Sequence, residues 1–324
     1  MAPTPAQIAQ ILEQIGLDAQ GARIAALPGG VSSETTAVHL ADGSTVVVKQ
    51  ALARLTVAEE WLADPTRAIA EGHALAALHD LTPSAVPRPI AIIEQPPSAV
   101  LPLAPQPSID WRAHLLAEPS PSDVHTAAQL RSIVETWHAA PIDPYLNSIL
   151  DDTLRVTQLR VDPFYRGMAQ RWPDFDTPIS TCIDELLEQR TSLVHGDFTP
   201  KNVLCHPAGL WVIDTEVCHV GNPLLDLGSM TAHLVLKSVK HQRDFPDLMS
   251  EIRDAFLNPP ISLQRARTDA AMARHTGVIL AVRVAGRSPV GYLEPFQQTQ
   301  VREMAVALLS GATIPEVEAT WLSS

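Results

Sequence analysis

The sequence predicts an α+β protein with two lobes, a small β-rich lobe followed by a larger and mainly helical one. Strand patterns and turn signals cluster before residue 103, and apolar residues recur at helical spacing over most of the chain after residue 124. Between these parts, residues 102–122 are rich in proline and poor in apolar runs, which indicates a connector. We therefore place the two lobes at residues 1–103 and 104–324.

A β-hairpin is predicted between Leu27 and Gln50. The segment 29–33, Gly-Gly-Val-Ser-Ser, opens the hairpin, and Asp42-Gly43 supplies a two-residue turn. The returning segment 45–49, Thr-Val-Val-Val-Lys, is rich in β-branched residues, which favour strands.

Hydrophobic periodicity predicts the remaining elements. Helices are expected over Arg67–His79, Val124–Trp137, Thr153–Arg171, Ile179–Gln189, Leu225–His241, Leu248–Phe256, Leu263–Ala285 and Tyr292–Leu309. Strand patterns occur at Ala91–Leu103, where Glu94–Pro97 interrupt them, and as an island at Leu193–Asp214.

The composition is that of an ordinary globular chain. It has 324 residues, of which 46% are hydrophobic and 18% charged, and no apolar run is long enough to span a membrane. The first residues lack a basic stretch followed by an apolar core, so we expect no secretory signal. The three cysteines are odd in number and irregularly spaced, which is typical of reduced thiols. These features predict a cytoplasmic protein with no membrane partner.

The formal net charge of −13 argues against a nucleic-acid partner, because clustered Lys and Arg hold phosphate backbones. Two interpretations of the acidic balance stay open. An acidic cleft would concentrate a cationic substrate, whereas an acidic surface alone would only keep the protein in solution.

The strand island predicts a second hairpin whose open end carries polar side chains. Two four-residue strands flank the turn Pro207-Ala208-Gly209. If His206 pairs with Leu210, antiparallel register places Asn202 opposite Asp214, with Cβ atoms roughly 4.5–5.5 Å apart. An amide oxygen and a carboxylate at one point are ligands that Mg²⁺ takes together with phosphate oxygens and water.

Asp197 lies on the loop that enters this hairpin, five residues before Asn202. Phosphoryl transfer uses one Asp that orients the attacking hydroxyl and accepts its proton, while an Asn and a second Asp hold the metal on the phosphates. The spacing Asp197-x-x-x-x-Asn202 matches the D-x-x-x-x-N of protein kinases, but Gly196 replaces the preceding Arg. That replacement points away from a kinase regulated by phosphorylation. The alternative is that these are turn residues and that Asp214 merely ends a strand.

Three ordered segments carry a family resemblance: His-Gly-Asp-Phe-Thr-Pro-Lys-Asn at 195–202, Val-Ile-Asp-Thr-Glu at 212–216, and Gly-Asn-Pro-Leu-Leu-Asp-Leu-Gly at 221–228. They resemble the motifs of the aminoglycoside phosphotransferase family, whose superfamily includes choline, fructosamine and methylthioribose kinases. Weaker similarity extends from Gly29 to about Leu309. The resemblance implies the two-lobed protein-kinase-like fold. It also implies transfer of the γ-phosphoryl group of ATP, with Mg²⁺, to a hydroxyl of a small molecule.

The resemblance implies roles for the polar residues of these segments. Asp197 is the expected catalytic base, and Asn202 and Asp214 are the expected Mg²⁺ ligands. Glu216 is implied as a further ligand of the metal or of a water, with a solvated strand-end carboxylate as the alternative.

Two residues are expected to support the catalytic loop. Asp226 resembles the buried Asp that hydrogen-bonds to this loop in the family. His195 resembles the loop's structural His and is not the expected base.

The phosphates of the nucleotide are expected to meet the N-terminal lobe. The chain has four lysines, and Lys49 ends a strand where the family's phosphate-binding Lys stands. Glu71 on the next helix can pair with this ammonium group. Gly30, Ser32 and Ser33 are expected to cover the phosphates, since small residues let backbone N–H groups approach.

The adenine hinge is expected where the strand pair ends. Leu101 and Leu103 would offer backbone donors and acceptors there. Pro102 between them lacks an N–H group, so one donor is missing.

The acceptor itself is not readable from the sequence. A stretch that family members carry near the C terminus is fitted by Arg283, Gly286, Ser288, Pro289, Tyr292 and Leu293. It either shapes the acceptor pocket or caps a helix. The Asp-Thr-Glu segment and the helix after Asp226 resemble the methylthioribose-kinase branch of the superfamily, which implies a sugar-like or thioribose-like acceptor rather than an aminoglycoside.

The sequence argues against two rival functions and one rival site. A nucleotide-binding regulator without turnover would lack the base, a metal ligand or the Lys. A protein-directed kinase would carry Asp-Phe-Gly where this chain has Asp-Thr-Glu. Zinc at Cys205-His206 is not expected, because adjacent strand residues point to opposite faces.

Overall fold

The computed structural model describes residues 3–27, 31–57, 60–257 and 263–322, with the backbone alone at 263–268. Within these residues the predicted α+β architecture is confirmed. An antiparallel sheet forms the N-terminal lobe, and helices dominate the rest of the chain.

The N-terminal sheet has the strand order β1-β2-β3-β5-β4 in the described part of the chain. Its strands are β1 (Arg23–Ala26), β2 (Ser33–His39), β3 (Thr45–Ala51), β4 (Ala91–Ile93) and β5 (Ser98–Pro102). The predicted β2–β3 hairpin is present, and its turn is closed by the Asp42 carboxylate, which accepts a hydrogen bond from the Ser44 N–H at 2.8 Å. Gly43 has a φ of 87°, which glycine adopts without steric cost.

Helix α1 (Pro5–Gln14) was not predicted, although its Thr4-x-x-Gln7 capping box was visible in the sequence. Its buried residues Ile8, Ile11 and Leu12 pack with sheet residues in one apolar cluster. Helix α2 (Arg67–Leu81) matches the prediction and buries Glu71.

Residues 102–122 are not the plain connector that their prolines indicate. They contain the short strand β6 (Ile109–Asp110) and helix α3 (Trp111–Ala117). The Asp110 side chain caps α3 by accepting from the Ala113 N–H at 2.8 Å. Trp111 is fully buried and donates its indole N–H to Asp123 at 2.6 Å. A capped and anchored helix therefore forms in spite of the flanking prolines.

The remaining helices largely follow the predicted spans. They are α4 (Ser122–Ala139), α5 (Pro144–Leu150), α6 (Thr153–Val156), α7 (Gly167–Arg171), α8 (Asp176–Glu188), α9 (Leu224–His241), α10 (Pro246–Leu257), α11 (Leu263–Ala285), α12 (Pro295–Leu309) and α13 (Ile314–Trp321). Neither α5 nor α13 was predicted. None of the described helices is both long and apolar enough to cross a membrane.

The helix predicted over Thr153–Arg171 is interrupted by a π-helical stretch at Thr157–Arg166. Pro163 lies inside this stretch and cannot donate a backbone hydrogen bond, which favours a change of helical register. In this wider turn, Arg160 lies against the loop 195–202, where it contacts Gly196 and Asp197.

The strand island forms two small antiparallel sheets. β7 (Ser192–Val194) pairs with β10 (His219–Gly221), and β8 (Val203–His206) pairs with β9 (Gly209–Val212) and with β6. Together these strands hold the loop 195–202 and the segment 213–218.

The predicted register of the β8–β9 hairpin was wrong by one residue. His206 lies opposite Gly209 and not opposite Leu210, so Asn202 faces Ile213, whose N–H donates to the Asn202 carbonyl at 2.9 Å. The turn is shorter than assumed because Gly209, with a φ of 143°, takes part in strand pairing.

One apolar cluster connects α2 with α3, with α4 and with the loop 195–202. It combines Leu75 and Leu78 with Trp111, Trp137 and Phe198. The boundary between residues 103 and 104 stays a prediction.

Candidate active site

Asp226 organises the loop at 195–202. Its Oδ2 accepts hydrogen bonds from the His195 N–H at 2.9 Å and from His138 Nε2 at 3.0 Å, and its Oδ1 accepts from the Gly196 N–H at 2.8 Å. The side chain is fully buried near the start of α9. These bonds fix the backbone just before Asp197.

Gly196 is required by the local geometry. Its φ is 81°, and a Cβ at this position would lie 2.5 Å from the Val217 carbonyl oxygen. A side chain here would be strained and would also clash with backbone. The Arg of the protein-kinase template has no room in this loop.

The His195 ring is part of the scaffold. It is stacked on Trp137, and its Nδ1 accepts from the Asp197 N–H at 3.2 Å while its Nε2 bonds to the Ile213 carbonyl at 3.1 Å. Burial lowers the pKa of His195, although nearby carboxylates oppose this. A neutral ring with both nitrogens engaged holds the loop in place.

Asp197 is buried and contacts three hydrogen-bond donors. Its Oδ1 lies 2.9 Å from Arg160 Nη2, and its Oδ2 lies 2.9 Å from both Asn202 Nδ2 and Lys201 Nζ. Burial alone would raise the pKa of Asp197, but the charges of Arg160 and Lys201 outweigh it and hold the pKa well below the usual value. The carboxylate is therefore ionised at neutral pH.

Asp214 lies beside this group in spite of the shifted register. It has a φ of 68°, the one positive value among the described residues other than glycine. This left-handed backbone follows β9, and the carboxylate contacts Lys49. Its other oxygen is 4.0 Å from Lys201 Nζ.

Lys49 connects the sheet to this loop. Its Nζ donates to Glu71 Oε1 at 2.6 Å and to Asp214 Oδ1. Burial would lower the pKa of Lys49, but Asp214 and Glu71 outweigh it and raise the pKa above its ordinary value. Burial raises the pKa of Glu71, and Lys49 opposes that change. The ammonium group thus stays charged.

Glu216 pairs with a buried cation that the sequence reasoning missed. Its Oε2 lies 3.0 Å from Arg67 Nε, and both side chains are almost fully buried. Arg67 also donates to the carbonyls of Ser32 and Leu52. One guanidinium therefore ties the start of β2 and the end of β3 to the Asp-Thr-Glu segment.

The remaining N-terminal candidates are placed as follows. Gly30 lies outside the described residues. Ser32 and Ser33 are buried at the start of β2. Leu101 is half-buried in β5 opposite Val47, and Leu103 is half-buried just after that strand.

Part of the C-terminal stretch closes the end of a helix, which is one of its two predicted roles. Arg283 Nη1 donates to the Ser288 carbonyl at 3.2 Å and to its hydroxyl at 2.6 Å, which closes the end of α11. The same Arg lowers the pKa of Asp197, though less than Arg160 and Lys201 do. Tyr292 accepts from Lys237 Nζ at 3.3 Å.

Comparison with known proteins identifies the family. The model of the phosphotransferase enzyme family matches residues 23–245, and the chain belongs to this family. The members of this family are small-molecule phosphotransferases. The structural neighbours of the chain include several small-molecule kinases. No curated protein sequence matches the chain.

Solved structures share the fold at low sequence identity. A protein assigned as a fructosamine-3-kinase from Thermobifida fusca YX-ER1 superposes with a TM-score of 0.55 at 21% identity, over 95% of this chain and 100% of that one. The choline kinase LicA from Streptococcus pneumoniae gives 0.51 at 12% identity, over 94% and 98%. The aminoglycoside phosphotransferase APH(2")-IIa, solved with streptomycin and ATP, gives 0.50 at 14% identity, over 98% and 99%. The protein-kinase-like fold is thereby confirmed.

Proposed function

We propose that the protein transfers the γ-phosphoryl group of ATP to a hydroxyl group of a small molecule. The observation that carries the proposal is the series of contacts Lys49–Asp214–Lys201–Asp197–Asn202, in which Lys49, Asp197 and Asn202 are buried and Asp214 and Lys201 are partly exposed. It combines one cation from the sheet and one from the loop 195–202 with two carboxylates and an amide. Phosphoryl transfer requires this combination of positioned base, metal ligands and phosphate-binding cation.

The donor set at the loop suits Mg²⁺. The Asn202 amide nitrogen is engaged by Asp197, which leaves the amide oxygen for a cation. With the Asp214 carboxylate it offers the hard oxygen ligands that Mg²⁺ prefers. Glu216 remains a proposed ligand of the metal or of its water, through the oxygen that Arg67 does not contact. Bound Mg²⁺ would neutralise charge on the phosphates.

The nucleotide is proposed to bind between the sheet and this loop. Lys49 would hold the α- and β-phosphates, with Glu71 keeping its ammonium group in position. Ser32, Ser33 and Gly30 would cover the phosphates, and the backbone of Leu101 and Leu103 would contact adenine. On this proposal residues 1–103 form the nucleotide-binding lobe and residues 104–324 the catalytic lobe.

Asp197 is proposed to orient the acceptor hydroxyl and to accept its proton. The hydroxyl oxygen forms a bond to the γ-phosphorus while the bond from that phosphorus to the β,γ-bridging oxygen breaks, so the products are a phosphate ester and ADP. Because Asp197 is a weak base, its larger contribution is orientation, as expected for a loose transition state. Lys201, between the two carboxylates, is positioned to meet charge on the transferring group.

The proposal is tested by Mg²⁺-dependent ATP binding and by ADP release. Calorimetry should show that Asp214→Asn weakens Mg·ATP binding, whereas the exposed control Asp184→Asn leaves it unchanged. ADP release is then screened over sugars, thiosugars, aminoglycosides and choline-like amines. No Mg·ATP binding by the wild type would refute the proposal. Tight binding with no acceptor that stimulates ADP release would favour the nucleotide-binding regulator.

A further inference from the structure

We propose that the acceptor carries an anionic group, a carboxylate or a phosphate, near its reactive hydroxyl, and that Lys237 and Arg283 bind this group. This inference rests on the proposed function, since it concerns the acceptor side of the same site. It names a class of substrate that the chain's overall negative charge does not suggest.

Cations outnumber carboxylates on the acceptor side of Asp197. On the proposed function Lys49 and Asp214 hold the nucleotide, and Lys201 beside Asp214 contacts Asp197 Oδ2, so the acceptor is expected on the side of Oδ1. There Arg160 contacts Asp197, and the guanidinium carbons of Arg160 and Arg283 each lie 5.3 Å from the centroid of the same Phe164 ring. Both guanidinium groups therefore pack on Phe164, and the charge of each acts on the Asp197 carboxylate.

Lys237 extends this positive region into the protein. Its side chain is fully buried in α9, and no described carboxylate oxygen lies within 4.0 Å of its Nζ. Its contacts are His233 Nδ1 at 3.5 Å and the hydroxyl and ring of Tyr292. A buried ammonium group without an ion-pair partner is costly, and such groups concentrate at functional sites.

His233 provides a second, independent indication of a ligand. It is 7% exposed, and its Nε2 has no hydrogen-bond partner within the part of the chain that the structure describes. Burial and the neighbouring charges of Lys237 and Arg283 hold the pKa of His233 well below its usual value, so the ring is neutral. An unpartnered ring N–H or lone pair beside a buried ammonium group is a place where a ligand oxygen or hydroxyl can bind.

The charges that face Lys237 come from several elements. Burial, with the charges of Arg283 and Arg112, lowers its pKa to about 7 against the opposing effect of Asp110. His233 is neutral, and Tyr292 has a pKa raised mainly by burial, so it is neutral as well. Positive neighbours therefore dominate at Lys237.

This arrangement selects against cationic acceptors. An aminoglycoside or a choline-like amine would bring positive charge next to Arg160, Arg283 and Lys237, and like charges brought together in a binding site are strongly unfavourable. A carboxylate or phosphate would instead supply the missing partner of Lys237. It would also take hydrogen bonds from the Arg283 guanidinium, whose buried Nε meets no hydrogen-bond partner among the described residues.

The first arm of the test compares acceptors that differ mainly in charge. Two series serve: gluconate, glucose and glucosamine; and glycerate or glycerol phosphate, glycerol and serinol. In whichever series is turned over, kcat/KM for ADP release should be at least about tenfold higher for the anion than for the neutral compound, and lowest for the amine. A neutral or cationic compound that is the best acceptor of its series would overturn the inference.

The second arm does not depend on turnover. Protein saturated with Mg·ADP is titrated with gluconate and with glycerol phosphate by calorimetry at pH 8, in buffers of different ionisation enthalpy. Wild type should bind one of them with uptake of up to about one proton, because the anion raises the pKa of Lys237. Lys237→Met should weaken binding at least about tenfold and abolish proton uptake. Lys240→Met, three residues along the same helix, should change neither.

The outcomes separate this inference from the proposed function. The inference would be overturned if an anion binds saturably and Lys237→Met binds it equally well. It would also be overturned if the wild type binds Mg·ATP and turns over an uncharged acceptor but binds neither anion. Failure to bind Mg·ATP would refute the proposed function. A merely structural role for Lys237 would alter stability without changing proton uptake.

Discussion

Replacing Lys237 by Met should stabilise the protein, because it removes a buried ammonium group that has no ion-pair partner among the described residues. The pKa of Lys237 is lowered from 10.5 to about 7, and each pH unit corresponds to about 1.4 kcal/mol. The cost of burying the charged form is therefore about 5 kcal/mol below pH 7. Losing the hydrogen bond to Tyr292 offsets about 1 kcal/mol of the gain. We expect the free energy of unfolding to rise by about 2–4 kcal/mol at pH 7.

The gain should depend on pH in a defined direction. Between pH 7 and 10.5 the unfolded state binds a proton at Lys237 that the folded state does not, so wild-type stability rises with pH in this window. The difference between Lys237→Met and wild type should therefore shrink by about 2 kcal/mol from pH 7 to pH 9. Urea unfolding of both proteins at the two pH values measures it, with Lys240→Met as the control. A variant less stable than wild type at pH 7, or a pH-independent difference, would refute the reasoning.

Three further substitutions probe the scaffold of the site. Arg67→Met leaves the Glu216 carboxylate buried without its partner, so the free energy of unfolding should fall by about 3–5 kcal/mol in urea titrations. A decrease below about 1 kcal/mol would contradict a buried ion pair. Gly196→Ala places a Cβ against the Val217 carbonyl at positive φ and should lower the melting temperature, so an unchanged melting temperature would count against the loop geometry. Asp226→Asn weakens the bonds that hold the loop 195–202, which is proposed to carry the base, and should lower kcat in steady-state assays more than it changes Mg·ATP affinity. An unchanged kcat would show that the loop does not need this carboxylate.

The fold was predictable because its signals are local. Strand-forming runs, a two-residue turn at Asp42-Gly43 and helical periodicity each act over a few residues. The same reasoning missed α3, since its cap at Asp110 and its anchor at Trp111 stand among prolines that indicate a loop. It also missed α1, whose capping box at Thr4 was present in the sequence.

The β8–β9 hairpin shows how a wrong register can still lead to the right neighbourhood. A one-residue error in the turn placed Asn202 opposite Asp214, whereas it faces Ile213. Asp214 nevertheless lies near Asp197, because its positive φ turns the chain at the end of β9. Backbone conformation at a single residue is not readable from residue types alone.

The cations of the site were the least predictable part. Arg67 and Arg160 lie 149 and 37 positions from the acids they contact, and no spacing rule links such partners. Lys201 could have been noted, since it lies within the catalytic motif itself. Lys237 sits in a helix whose pattern predicts only burial, and its lack of a carboxylate partner is a property of the tertiary structure.

The most direct test of the proposed function is the rate of phosphoryl transfer in Asp197→Asn, measured with the acceptor that most stimulates ADP release. We expect kcat to fall by about 10²–10⁴-fold while Mg·ATP affinity stays close to that of wild type, because Asp197 is proposed to orient the acceptor hydroxyl and accept its proton. Wild-type turnover in this variant would contradict the proposed role of Asp197.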